Sequence, residues 1–114
     1  EPLAFAGLWE TWKSPEGLVV RSCTIVTTFA NSFIEPLHNR MPVILSGETQ
    51  ALWLDPLTED PANLEPLLIP APEDLLTSHR VAETVNSVKN QGPELILPLS
   101  EGDLEANPDR RLFP

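Results

Sequence analysis

The sequence holds one cysteine (Cys23), no tyrosine and only seven basic residues against seventeen acidic ones. A single cysteine excludes an internal disulfide and any multi-cysteine metal site, which suits a reducing compartment. No stretch approaches the roughly 18 apolar residues of a membrane-spanning helix. The N-terminal residues do not follow the basic, apolar, small-residue order of a secretory signal. From these absences the chain reads as soluble and cytoplasmic, with no membrane partner. A glycine-rich phosphate loop, a nucleophile elbow and a zinc-ligand spacing are also missing, so neither a metal nor a cofactor is expected. The shortage of Lys and Arg, with a net charge of -10, argues at first against nucleic acid, whose phosphates are held by cations that displace counterions.

The distribution of that charge weakens the objection. Residues 1–45 carry four acids and three bases, whereas residues 46–114 carry thirteen acids and four bases. The acidity therefore lies away from the stretch "LHNRMPVIL" at 37–45, which sets His38 and Arg40 two positions apart before a Met-Pro step. A length of 114 residues with 41% hydrophobic content supports one modest core. Thirteen prolines, more than twice the usual roughly 5%, leave no room for long helices.

"EPLAFAGLWETWK" reads as a strand met in mid-course, so the chain is expected to be a piece of something longer. "SPEG" has turn chemistry and "LVVRSCTIVTTF" is rich in β-branched residues, which predicts a hairpin or two neighbouring strands within residues 4–29. Pro36 limits "ANSFIEPLHN" to a short helical turn. Extended structure resumes at "RMPVIL", because a residue before proline is pushed out of the helical region. Ser46 is placed to cap a helix over "GETQALWL". Asp60-Pro61 repeats the device for a shorter one, with Leu64, Leu67 and Leu68 on one side. "PEDLLTS" predicts a further turn, and "HRVAETVNSVKNQGPELILPL" predicts short extended pieces. The last residues read as a poorly ordered acidic tail.

Strand alternation in "AGLWETW" places Leu8, Glu10 and Trp12 on one face. Glu10 is then either a partly desolvated carboxylate suited to moving protons or an ordinary solvent-facing one. If the approach to Met41-Pro42 is extended, His38 and Arg40 share a face, where they could bind a sugar oxygen and a phosphate. The alternative is a histidine that caps the preceding turn and an arginine paired with Glu35 or another acid. Cys23 lies in a β-branched run and is expected to be a buried, inert thiol. Trp53 is expected in the core, His79-Arg80 at the surface, and Asn86 and "NQG" at 90–92 in turns.

Taken together, "AGLWETW", "SCTIVTTFAN", "LHNRMPVIL" and "VNSVKNQGPELILPL" resemble, in order and spacing, the C-terminal half of the SOS response-associated peptidase (SRAP) family over residues 4–99. The resemblance implies an α+β fold with an antiparallel or mixed β-sheet core, short helices and a DNA cleft. Residues 1–99 would form the C-terminal portion of such a domain, and 100–114 an acidic, flexible tail. Also implied is the sensing of abasic sites in single-stranded DNA. In the family, the amine and thiol of an N-terminal cysteine capture the ring-opened sugar aldehyde as a thiazolidine DNA-protein crosslink.

By match to the motifs, Glu10 is the proton-handling glutamate, also implicated in self-processing. His38 contacts the opened sugar and Arg40 holds a DNA phosphate, while Thr27, Thr28 and Asn31 lie in the segment lining the same cleft. The family's Cys-Gly-Arg beginning belongs to its N-terminal half, which is not among these residues. The expected partners are therefore single-stranded abasic DNA and that other half, on the same or a separate chain. The expected location is cytoplasmic, and nucleoid-associated in a bacterium. Two other readings stay open: a peptidase acting on itself or on other proteins, and a non-catalytic binding module. Half of such a fold would expose strand edges and apolar faces, so the 114 residues alone are expected to associate or dissolve poorly.

Overall fold

Three β-rich stretches of the chain form strands, and each changes partner part way along. The computed structural model describes residues 2–100. The stretches are β1 (Ala4–Phe5) running into β2 (Gly7–Lys13), β3 (Val19–Ile25) into β4 (Thr27–Phe29), and β5 (Arg40–Pro42) into β6 (Ile44–Leu45). β2 pairs with β3, β4 with β5 and β1 with β6, all antiparallel. One residue joins the halves of each stretch: Ala6, Val26 and Val43.

These three joints bond one another in a ring. The Ala6 amide donates to the Val43 carbonyl at 2.8 Å, Val43 to Val26 at 2.9 Å, and Val26 to Ala6 at 2.9 Å. The ring satisfies backbone groups that no ladder reaches, as burial requires. Ala6 and Val43 are fully buried and form the core cluster with Leu45, against which Val26, Trp53 and Leu68 pack. The core is thus small and sits where three strand pairs, here called arms, meet.

Local chemistry shapes each arm. The β2–β3 turn is closed by the Ser14 amide donating to the Leu18 carbonyl and the Gly17 amide donating to the Ser14 carbonyl. Gly17 has φ +87°, in the left-handed region that glycine enters without a Cβ penalty. Helix α1 (Gly47–Leu54) starts as the sequence predicts: Thr49 N donates to Ser46 Oγ, and Ser46 N donates back to Thr49 Oγ1. Such a reciprocal cap stabilises a helix start by about 1 kcal/mol. Trp53 on α1 is half-buried and donates its indole N–H to the Gly7 carbonyl at 3.0 Å, tying the helix to the base of β2.

The chain divides after Glu73. In the part that follows, the expected extended pieces are instead two 3-10 turns, Glu83–Asn86 and Pro93–Ile96. No long strand is available to pair with them there, so their backbone groups close locally. The short helix expected after Asp60 is likewise two 3-10 turns, Pro61–Asn63 and Glu65–Leu67, because Pro66 interrupts it. Apart from Ser100, the expected acidic tail lies outside the described residues. None of the described helices is long and apolar enough to cross a membrane.

Candidate functional site

β4–β5 sorts its side chains by the alternation of a strand. Thr28 and Met41 face inward, at 8% and 3% exposure, while Thr27, Phe29 and Arg40 face outward. The inner face is closed by the chain around residues 68–71. Thr28 Oγ1 donates to the Leu68 carbonyl at 3.4 Å, and Asn31 Nδ2 donates to the Ala71 carbonyl at 3.0 Å. Asn31 is also buried; its backbone N–H contacts Met41 Sδ, and its side-chain oxygen accepts from the Ile34 amide. The polar atoms of Thr28 and Asn31 are therefore engaged inside the protein.

On the outer face, Arg40 Nη2 donates to the Thr27 carbonyl at 3.0 Å and to Thr27 Oγ1 at 3.2 Å. The guanidinium lies 5.1 Å from the Phe29 ring centroid, directly across the strand pair. These partners are a carbonyl, a hydroxyl and a ring, where the alternative expectation was an acid. Nε and Nη1 have no bonded acceptor among the described residues, so most of arginine's five donors remain open.

His38 reaches the same region by a route that alternation does not describe. It ends the turn at 32–37, where its amide donates to the Ile34 carbonyl, and Asn39 forms a bend before β5 begins. The Arg40 amide donates to His38 Nδ1 at 3.0 Å. That bond requires Nδ1 to be unprotonated, which in the neutral ring places the proton on Nε2 of this exposed residue. His38 thus offers a donor next to Arg40.

One contributor had no signal in the sequence. Both carboxylate oxygens of Glu73 accept backbone amides, from Ser32 and Phe33, each at 2.9 Å. Glu73 lies some forty residues along the chain from the turn that it anchors. Together with Asn31 it holds the turn that delivers His38.

Glu10 lies on a different arm. In β2 it pairs with Ser22, and Leu8 and Trp12 flank it on one face as expected. That face is open, with Leu8 and Trp12 each 57% exposed, so of the two readings the strand pattern allowed, Glu10 takes the solvent-facing one in this chain. The Glu10 carboxylate has no hydrogen bond or ion pair among the described residues. Cys23, expected to be buried, is exposed for the same reason: none of the described residues covers either face of β2–β3. The structure therefore brings Thr27, His38 and Arg40 together and leaves Glu10 on the neighbouring arm. Among the described residues, no group of three or more His, Cys, Asp or Glu is arranged to hold a metal ion.

Fold and site together define an α+β protein of antiparallel strand pairs that presents outward-facing hydrogen-bond donors, one of them cationic. The family model described as SOS response associated peptidase (SRAP) matches residues 1–88. The chain belongs to this family.

It is 48% identical over 93 residues to the abasic site processing protein YoqW of Bacillus subtilis, covering 82% of this chain and 42% of that one. It is 35% identical over 97 residues to the mouse abasic site processing protein HMCES, covering 84% of this chain and 27% of that one. The chain thus spans less than half the length of these relatives. A crystal structure of a protein from Bacteroides thetaiotaomicron shares the fold, with a TM-score of 0.73 at 23% identity, over 86% of this chain and 44% of that one.

Proposed function

We propose that this chain contributes the C-terminal portion, residues 1–99, of a domain that captures abasic sites in single-stranded DNA as a covalent thiazolidine crosslink. The observation that carries the reading is the outward cluster of the β4–β5 arm. The His38 ring is bonded through Nδ1 to the Arg40 amide, and the Arg40 guanidinium at Thr27 keeps open donors, one group suited to a sugar oxygen and the other to a phosphate. The names of the relatives, abasic site processing proteins, point the same way. Thr27 holds Arg40 in place and is exposed to the same ligand. Thr28 and Asn31 enter the proposal as the buried supports of that edge.

The chemistry needs an N-terminal cysteine from the other half of the domain. Its amine adds to the C1′ aldehyde of the opened sugar to give a carbinolamine. Glu10 relays a proton to the departing hydroxyl, which leaves as water, and an iminium remains. The cysteine thiol then adds to the iminium carbon and loses its proton, closing the five-membered ring; the Glu10 carboxylate is placed to take it. The reverse sequence, and self-processing at the domain's N-terminus, use the same carboxylate. Cys23, in mid-strand with no free amine, cannot close such a ring.

The test supplies the N-terminal half of the domain, adds single-stranded DNA with one abasic site, and resolves the products under denaturing conditions. The reading predicts a crosslink that is lost in the Glu10→Ala/His38→Ala double variant. No crosslink, or one indifferent to that double change, contradicts it. Cleavage of unrelated proteins by the same preparation would favour a general peptidase instead.

A further inference from the structure

Phe29 has no part in the reaction proposed above, yet its placement is unusual for a phenylalanine. It is 74% exposed on the outward face of β4. Strand pairing puts it directly opposite Arg40, whose guanidinium lies against the ring at 5.1 Å from the centroid. Leaving a large apolar ring in water forgoes the burial that ordinarily keeps phenylalanine in a core. The inner face of this arm is already filled by Thr28 and Met41, so the ring serves no packing there. With the guanidinium covering only part of it, the rest of the ring is open.

Phe29 and Arg40 together have the parts of a single-strand platform: a π surface for an unpaired base and a fork of donors for the phosphate beside it. We infer that Phe29 is a base-stacking residue of the DNA-binding face, carrying an unpaired nucleobase next to the phosphate held by Arg40. This rests on the reading that single-stranded DNA is the ligand. It adds a contact that grips intact nucleotides and is blind to the lesion itself. The residual acidity of the chain also matters here. Stacking is insensitive to salt, so it contributes affinity where the chain has few cations to offer.

The experiment measures binding of the complete domain, with its N-terminal half supplied, to an undamaged oligonucleotide of single-stranded DNA carrying 2-aminopurine, across a range of salt concentrations. Phe29→Ala is expected to weaken binding by roughly 5- to 150-fold, the loss of one stacked base, with the salt dependence unchanged. The quenching of 2-aminopurine on binding should disappear. Phe29→Trp should retain both affinity and quenching, and Phe29→Leu, which keeps bulk but no π face, should behave as Phe29→Ala. Arg40→Ala should lower the salt slope by about one. If Phe29→Ala and Phe29→Leu bind and quench as the parent domain does while Arg40→Ala still weakens binding, the stacking role is overturned and the DNA reading survives. If the complete parent domain binds no single-stranded DNA, both fall.

Discussion

The two arms that carry candidate site residues are built in opposite ways. β2–β3 has the longest strands, seven residues each, and not one of those residues is buried. β4–β5 pairs only three residues on each side, yet its inner face is sealed by Thr28, Met41 and the chain around Leu68–Ala71. A two-stranded ribbon open on both faces is marginal in water, and one bearing Trp9 at 75% and Trp12 at 57% exposure is costly to leave uncovered. Ladder length therefore does not measure how finished an arm is. The arm with His38 and Arg40 is set by contacts within this chain, whereas the arm with Glu10 leaves both faces open among the described residues.

The contrast can be broken most severely at the joint. Val43→Asp would bury a charge where exposure is 0%, which is expected to cost more than about 4 kcal/mol and abolish cooperative unfolding by circular dichroism. Val19→Asp, at a position 61% exposed on the open arm, should melt as the parent does. A next, smaller effect is expected at Asn31. Asn31→Ala leaves the buried Ala71 carbonyl without its donor and the Ile34 amide with only the backbone carbonyl of residue 31, for a loss of about 2 kcal/mol in urea unfolding, with the slope unchanged. Thr24→Ala on the open arm should stay within about 0.5 kcal/mol of the parent.

Glu73→Ala removes the acceptors of the Ser32 and Phe33 amides at an exposed site, a loss of about 1 kcal/mol. Its signature is faster hydrogen exchange at those two amides, accompanied by weaker DNA binding as His38 loses its support. Faster exchange with unchanged binding would detach the turn from the site. The smallest change sharpens the comparison from the other side. Replacing Trp9 and Trp12 together by Ser should reduce self-association in sedimentation without lowering the melting temperature, because neither ring packs on the core cluster. Unchanged association would mean that the open arm is not the adhesive surface.

What was legible in the sequence was local. The Ser14–Gly17 turn, the Ser46 cap and the Asp60 cap each depend on residues a few positions apart, and their chemistry can be read directly. The motifs around Glu10 and "LHNRMPVIL" led to the correct family and α+β class. Partner exchange at Ala6, Val26 and Val43 was not legible, since it is decided by backbone bonds between residues far apart in the chain. Nor was Glu73, whose partners lie on a distant turn, or the exposure of Cys23, because β-branched neighbours signal a strand but not whether its faces are covered. The alternation argument for His38 and Arg40 does not describe how the two residues meet. A bond from the Arg40 amide to His38 Nδ1 sets their relation, and a pattern of hydrophobicity carries no trace of it.

If the arms divide the labour, with Glu10 moving protons and the His38–Arg40 edge holding DNA, their variants must fail differently. The most direct test follows single-turnover crosslinking by the complete domain against the concentration of abasic single-stranded DNA. Glu10→Gln should lower the maximal rate and leave the half-saturating concentration unchanged. Arg40→Ala should raise that concentration and leave most of the maximal rate intact. Two variants that shift the same parameter to the same extent would contradict the division.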